Sequence, residues 1–275
     1  LLPHRGLFRR DVGRMIHPAV ALLTDFGTRD WYVAAIRGVI LSRCPRARLL
    51  DITHDIPPQD VVAGAFTLAA AAPWFPRGTV FVAVVDPGVG SDRALIAARA
   101  DGRYFVGPDN GLLAPILAHA APRAIVRLTN RRYWLKAVSR TFQGRDIMAP
   151  VAASLASGGS LARLGSPLKR ITPLDLPTLQ RRGRSLHGHI VHIDGFGNLV
   201  TNLPASAMRS AGGGPRFTLR YQRHAVRVVS SYAQGRVQEL IALVNSQGLV
   251  ELAVREGSAA WTFNAKRGDR VEVVG

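Results

Sequence analysis

Three mostly apolar runs in the first half of the chain constrain its fold most strongly. They are PAVALLT (18–24), ARLLDI (47–52) and TVFVAVV (79–85), and helical patterns follow the first two. Apolar runs without alternation are typical of strands buried on both faces, and strands that alternate with helices form parallel sheets. The sequence therefore predicts an α/β domain with a mainly parallel sheet over residues 15–171. Further strands are expected over 95–98 and 104–106, and helices over 30–42, 60–72, 111–118 and 146–157, the first of them capped by Asp30.

The pattern changes after about residue 171. Residues 172–187 carry two prolines and a basic cluster without periodicity, which predicts a linker. The remainder, 188–275, consists of short alternating segments separated by turn residues, as in an all-β barrel or sandwich. The expected strands are 188–193, 216–221, 225–229, 239–244, 249–254, 260–264 and 270–274, with a helix near 205–210. Residues 1–14 are basic but lack the apolar core of a secretory signal, so a disordered extension is expected there.

The charge of the chain raises a nucleic-acid hypothesis. The formal net charge is +18, and the basic residues are 33 arginines and three lysines. A nucleic-acid site concentrates such residues on one face or in one segment. Here they are spread along the chain, and the densest group, Arg181, Arg182 and Arg184, falls in the predicted linker. Nucleic-acid binding is therefore kept only as a third hypothesis.

Cysteine, histidine and hydropathy exclude other classes. The single cysteine, Cys44, cannot form an intrachain disulfide, which fits a reducing cytoplasm. His187, His189 and His192 begin a predicted strand, where alternation places the first two on one face and the third on the other. That arrangement does not suit a zinc site, and we expect no metal and no cofactor. No apolar stretch reaches the roughly 18 residues of a membrane span.

The three apolar runs of the first half each lead into a polar cluster. These clusters are Asp25-Phe26-Gly27, Asp51 to Asp55 with His54, and Asp86-Pro87-Gly88-Val89-Gly90. In an open α/β sheet, ligands bind beyond the carboxyl ends of the strands, so the clusters together predict a pocket for a polar small molecule. Taken singly, each aspartate could instead cap a helix or support a turn. No P-loop is present, and the dinucleotide glycine fingerprint is incomplete.

Five ordered motifs, from Met15 to the C-terminus, resemble those of one enzyme family. They are TDFGTRDWYV (24–33), DITH (51–54), VDPGVGSDR (85–93), GPDNG (107–111) and DGFGNLVTN (194–202). The set resembles the adenosine-forming S-adenosylmethionine (SAM) hydrolases, also called SAM hydroxide adenosyltransferases, which are relatives of the fluorinases and chlorinases. The resemblance implies an N-terminal α/β domain, a C-terminal β-barrel and a cytoplasmic homotrimer that binds SAM at its subunit interfaces.

The resemblance also implies a reaction and its catalytic residues. Water or hydroxide attacks C5′ of SAM, which releases methionine and leaves adenosine. Asp86 and Arg93 match the aspartate and arginine that handle the water in the family. The family histidine lies in a Phe-His-Gly-Arg-Asp stretch, where this chain has Gln143. Glutamine can position a water but cannot take up a proton near neutral pH.

The remaining motif residues imply substrate contacts. By resemblance, Asp25 holds the ribose hydroxyls, and Asp30 and Asp194 receive the methionine ammonium group. Phe196 and Asn198 define the adenine pocket, and Ser246 lies near the methionine carboxylate. The halogenating relatives have an arginine where Gln247 stands. Two alternatives to hydrolysis remain: a SAM- or adenosine-binding protein that has lost turnover with the histidine, and a halogenase-like enzyme.

Overall fold

The computed structural model describes residues 17–119, 124–210 and 217–274. The extension expected over 1–14 lies outside these residues, as does Arg216 at the start of one predicted strand. The described residues fall into two units, 17–175 and 176–274. Among them, no helix is long and apolar enough to cross a membrane.

The first unit is built on a seven-stranded sheet with the order β2-β1-β3-β5-β4-β6-β7. Its strands are β1 (Ala19–Thr24), β2 (Arg48–Thr53), β3 (Val80–Val84), β4 (Leu95–Ala100), β5 (Arg103–Pro108), β6 (Ala124–Leu128) and β7 (Gly165–Pro167). Its helices are α1 (Tyr32–Arg43), α2 (Val61–Ala71), α3 (Ala114–His119) and α4 (Ala149–Ala156). Strands β2, β1, β3 and β5 are parallel, and β4, β6 and β7 run antiparallel to their neighbours. The predicted α/β architecture is confirmed.

Helices cover both faces of this sheet, which explains why its central strands β1 and β3 are apolar at nearly every position. In β1, Val20 and Leu22 pack into a core with α1 and α4. The alternate residues Ala21 and Leu23 pack into a second core with α2. A strand that is buried on both faces does not need alternating polar residues. Strand β3 is buried along its whole length and is apolar at every position.

The structure departs from the local predictions at three places in the first unit. The residue that caps α1 is Trp31, without a side-chain hydrogen bond, so Asp30 does not cap the helix. The helix expected over 146–157 is present as α4, and its first part is a π-helical turn, Gly144–Met148. Strands β6 and β7 were not predicted, because they are short and their pairing partners lie far away in sequence.

The second unit is a closed β-barrel. Its strands are β8 (Gln180–Arg182), β9 (Ser185–Ile193), β10 (Leu199–Pro204), β11 (Thr218–Tyr221), β12 (His224–Val228), β13 (Leu240–Val244), β14 (Leu249–Val254) and β15 (Arg270–Val274), with short helices α5 (Ala207–Ser210) and α6 (Ala259–Thr262). Strand β9 pairs with both β15 and β10, which closes a ring of seven strands, and β8 adds to β9 outside it. Ile190, Tyr221 and Leu252 fill the interior. The predicted barrel is confirmed.

The structure departs from the local predictions at three places in the second unit. The strand expected over 260–264 is the helix α6, because Ser258 Oγ accepts the backbone N–H of Trp261 and caps a helical turn. Strand β10 was not predicted, although it closes the barrel. The segment 172–187, which the sequence predicts to be a linker, contains β8 and the start of β9.

Candidate functional site

A cavity of about 380 Å³ lies in the first unit, at the carboxyl ends of its central parallel strands. Asp25 follows β1, Asp86 follows β3, and both line the cavity. Gln143, in the turn before α4, lines it as well. Adjacent parallel strands end at the same edge of the sheet, so their polar clusters meet there, as the sequence predicted.

The Asp25 carboxylate is held by a backbone N–H. Its Oδ2 accepts the N–H of Gln59 at 2.8 Å. Gln59 has a φ of 65°, in the left-handed region that side chains rarely adopt. Such a conformation costs about 1–3 kcal/mol and persists where the surroundings impose it. No described protein group donates a hydrogen bond to the second oxygen, Oδ1, so this oxygen can accept one from a ligand.

Asp86 and Arg93 form a two-point ion pair beside the cavity. Arg93 Nε donates to Asp86 Oδ1 at 2.5 Å, and Arg93 Nη2 donates to Asp86 Oδ2. The Asp86 side chain is 5% exposed and the Arg93 side chain is 9% exposed. A guanidinium fork that meets both carboxylate oxygens fixes their orientation as well as their charge. The carboxylate keeps lone pairs free for a further hydrogen bond, since an ionised carboxylate has about four acceptor positions.

Gln143 joins this pair through its side-chain oxygen. Arg93 Nη2 donates to Gln143 Oε1 at 2.8 Å. Because a guanidinium group has no acceptor, the oxygen of the amide must face Arg93. The amide nitrogen is therefore the end of Gln143 that remains for a ligand. The structure brings together all three residues predicted to be catalytic.

A buried carboxylate fixes the turn that carries Gln143. Asp146 is 0% exposed, and its Oδ2 accepts the backbone N–H of Ser139 at 2.8 Å. Arg145 Nε donates to Asp146 Oδ1 at 2.6 Å. Asp146 and Arg145 lie within the π-helical turn, a feature often found at functional sites. Sequence reasoning did not assign Asp146 a role, although it follows Gln143 in the same motif.

An aromatic wall, which the sequence did not predict, closes one side of the cavity. Phe26, Tyr32 and Phe142 line the cavity, and Tyr32 and Phe142 meet edge to face with centroids 5.4 Å apart. Trp31 packs on both Tyr32 and Phe142 but remains 57% exposed. These rings offer an apolar surface next to the carboxylates. Asp30, predicted to bind the substrate, is exposed and does not line the cavity.

The other predicted substrate contacts lie in the second unit. Asp194 Oδ1 accepts the backbone N–H groups of Phe196 and Asn198, both at 2.9 Å, and Oδ2 accepts Asn198 Nδ2 at 3.0 Å. This bonding shapes the β9–β10 loop and leaves the Phe196 ring 82% exposed. Ser246 is exposed on the β13–β14 turn, which Asn245 Oδ1 holds by accepting the N–H of Gln247 at 3.0 Å.

Comparisons with known protein families cover most of the chain. Residues 20–165 match the family described as "SAM hydroxide adenosyltransferase N-terminal domain". Residues 188–272 match the family described as "SAM hydroxide adenosyltransferase C-terminal domain".

Individual relatives give the same result. A protein of Salinispora tropica named "(R)-S-adenosyl-L-methionine hydrolase" is 41% identical, over 93% of this chain and 97% of its own. A protein of the same name from Thermus thermophilus is 35% identical, over 93% of this chain and 99% of its own. A solved structure of a conserved protein from Thermotoga maritima superposes with a TM-score of 0.84 at 33% identity, over 93% of this chain and all of the other.

Proposed function

This chain belongs to the SAM hydroxide adenosyltransferase family, and on that premise we propose that it is an enzyme that hydrolyses SAM to adenosine and L-methionine. The observation that carries the proposal is the oriented Asp86–Arg93 pair beside a cavity that also contains Asp25. The names of relatives up to 41% identical over nearly the full length also support it.

The reaction is a displacement at C5′. A water oxygen forms the new bond to C5′ while the C5′–S bond breaks, and the bonding pair leaves with sulfur as neutral methionine thioether. The sulfonium is a good leaving group, so the protein has chiefly to align, desolvate and activate the water. The aromatic wall supports this task, because it gives the cavity an apolar side from which bulk water is displaced.

Asp86 and Arg93 act on the attacking water. Asp86 orients the water through a free lone pair and accepts the proton that the water loses as the C5′–O bond forms. Arg93 holds both Asp86 oxygens in place and favours the deprotonated oxygen nucleophile by its charge. The proton then passes to solvent, so the products are adenosine, methionine and one proton.

Gln143 positions the water without exchanging a proton with it. Its Oε1 is engaged by Arg93, so the group that it presents to the nucleophile is the Nε2 donor. An amide does not titrate near neutral pH, and the proton transfer therefore falls to Asp86 alone.

We propose substrate contacts at residues of the family motifs. Asp25 binds the ribose hydroxyls, and its fixed carboxylate supports this role. Asp30 and Asp194 receive the ammonium group, Phe196 and Asn198 form the adenine pocket, and Ser246 binds the methionine carboxylate. Phe196 is suited to cover an adenine because its ring is exposed.

We also propose a homotrimer that binds SAM at its subunit interfaces. The exposed aromatic side chains Trp31 and Phe196 support an interface of this kind, since large exposed apolar groups mark contact surfaces. A reducing cytoplasmic setting is proposed as well, supported by the buried free thiol of Cys44.

One observation favours a second candidate function. Gln143 stands where the family has a histidine, so the chain could bind SAM or adenosine without turnover. In that case the fork between Arg93 and Asp86 would serve to hold a bound ligand rather than a reacting water.

The test is incubation of purified protein with SAM, with and without halide, followed by chromatography. Adenosine and methionine in equal amounts, independent of halide, are the expected products. A 5′-halo-adenosine product would place the chain with the halogenating relatives. Intact SAM that binds tightly would favour the binding protein.

A further inference from the structure

A buried polar chain lies behind the turn that carries Asp25. His54, directly after β2, is 4% exposed, and Thr24, at the end of β1, is 1% exposed. Thr24 Oγ1 lies 2.8 Å from His54 Nδ1. Burial of both groups means that protein neighbours, and not solvent, must orient the imidazole ring.

The other edge of the ring faces a carboxylate. His54 Nε2 lies 3.0 Å from Asp51 Oδ1, close enough for electrostatic attraction though off the line of a hydrogen bond. Arg37 Nη2 donates to the second oxygen of Asp51. The negative charge favours a proton on Nε2, so Nδ1 of the neutral ring accepts the hydroxyl proton of Thr24.

The chain of bonds ends on the backbone on either side of Asp25. Thr24 Oγ1 accepts the N–H of Phe26 at 3.3 Å. The carbonyl oxygen of His54 accepts the N–H of Gly27 at 2.8 Å. His54 therefore holds the turn at two points, once through its ring and Thr24 and once through its own backbone.

We infer that Thr24 and His54 are positioning residues that hold the turn from which Asp25 reaches the ribose hydroxyls of the ligand. This inference rests on the proposed function, in which Asp25 binds the ribose. Thr24, His54 and Asp51 are the residue types of a hydrolase triad, but Thr24 is too deeply buried to attack a substrate. Its hydroxyl is already used within the turn.

Two substitutions test the Thr24–His54 bond. Thr24→Val removes the hydroxyl at nearly constant shape. Because one buried hydrogen bond is lost, the KM for SAM is expected to rise about 5- to 10-fold. The kcat should stay within about twofold of the wild-type value. His54→Leu should have at least the same effect. His54→Asn, whose amide can replace Nδ1 toward Thr24, should restore most of the affinity.

Nucleoside binding separates positioning from general damage. Calorimetric affinities for adenosine and 2′,3′-dideoxyadenosine are compared in wild type and in Thr24→Val. The variant should weaken adenosine binding about 5- to 10-fold but change dideoxyadenosine binding by less than about twofold. The matched control is Thr79→Val. Thr79 is 1% exposed, and its Oγ1 has no hydrogen-bond partner in the described structure. It directly precedes β3, at the end of the strand away from the cavity. The control should bind both nucleosides like wild type.

Two outcomes would overturn the inference. One is equal weakening of both nucleosides by Thr24→Val, which indicates damage unrelated to the ribose hydroxyls. The other is wild-type affinity for adenosine and SAM in that variant. Failure of the wild type to cleave SAM would count against the proposed function instead, because adenosine binding tests the positioning role without turnover.

Discussion

Arg93 Nη2 donates both to Asp86 Oδ2 and to Gln143 Oε1, the latter at 2.8 Å, so one guanidinium group orients a carboxylate and an amide on the same cavity wall. The amide oxygen is thereby unavailable to the nucleophile, and Asp86 is the proton acceptor that remains at this position. The consequences can be measured.

Gln143→His is expected to accelerate adenosine formation. A general base at this position contributes about 100- to 10,000-fold in favourable cases, and we expect a gain of at least about tenfold here. The imidazole should also add a limb to the pH–rate profile near its ordinary pKa of about 6.5, which wild type lacks. Adenosine release is measured between pH 5 and 9. Gln143→Leu is the control, and a faster Leu variant would contradict the argument.

Asp86→Asn is expected to abolish most turnover while SAM still binds. The amide keeps the size of the side chain but cannot accept the proton of the water, so kcat should fall about 100- to 10,000-fold. The neighbouring Arg93 then has a weaker partner, and a thermal melt is needed to show that the protein is folded. A variant with near-wild-type kcat would rule out Asp86 as the proton acceptor.

Arg93→Lys tests the geometry of the ion pair. Lysine keeps the charge but cannot contact both Asp86 oxygens and Gln143 at once, because it has no planar fork. We expect kcat to fall at least about tenfold, with a smaller change in KM. Arg99→Lys is the matched control, since Arg99 is exposed on β4, and it should leave both constants unchanged. Equal effects of the two substitutions would exclude a role for the fork.

Asp51 predicts how stability changes in acid. Burial raises the pKa of Asp51, but the hydrogen bond and charge of Arg37 and the electrostatic attraction of the His54 ring outweigh it and hold the pKa below its ordinary value. The stabilisation is therefore full above the ordinary pKa and is lost as the pH falls through the lowered one. Because the side chain is 39% exposed, the effect is modest.

The test is the melting temperature between pH 6 and pH 3. Wild type should lose about 1–3 °C more over this range than Asp51→Asn, which has no carboxylate to protonate. The exposed Asp92→Asn variant serves as the control and should follow wild type. A parallel decline of all three proteins would show that Asp51 makes no such contribution.

The proposed trimer predicts the mass of the particle in solution. Light scattering should give about three times the chain mass of 29.7 kDa, because closed symmetric assemblies are the usual form of homo-oligomers. A particle of one or two chain masses would contradict the trimer.

The α/β fold and the barrel could be predicted because both follow from local periodicity. Strand β3 is apolar at every position, and barrel strands such as β11 and β15 alternate in burial. Predictions failed where long-range pairing decided the conformation, as in β6 and β7, or where one hydrogen bond did, as in α6 with its Ser258 cap.

For the site, the sequence by itself determined which residue types end the strands, because Asp25 and Asp86 directly follow their apolar runs. It also determined that Gln143 stands where the family has a histidine. Only the tertiary structure decided that Arg93 binds both Asp86 and Gln143, and that His54 reaches back to Thr24. Periodicity and motifs are properties of neighbouring residues, whereas the direction of a hydrogen bond depends on which distant groups the packed sheet and helices bring within about 3 Å.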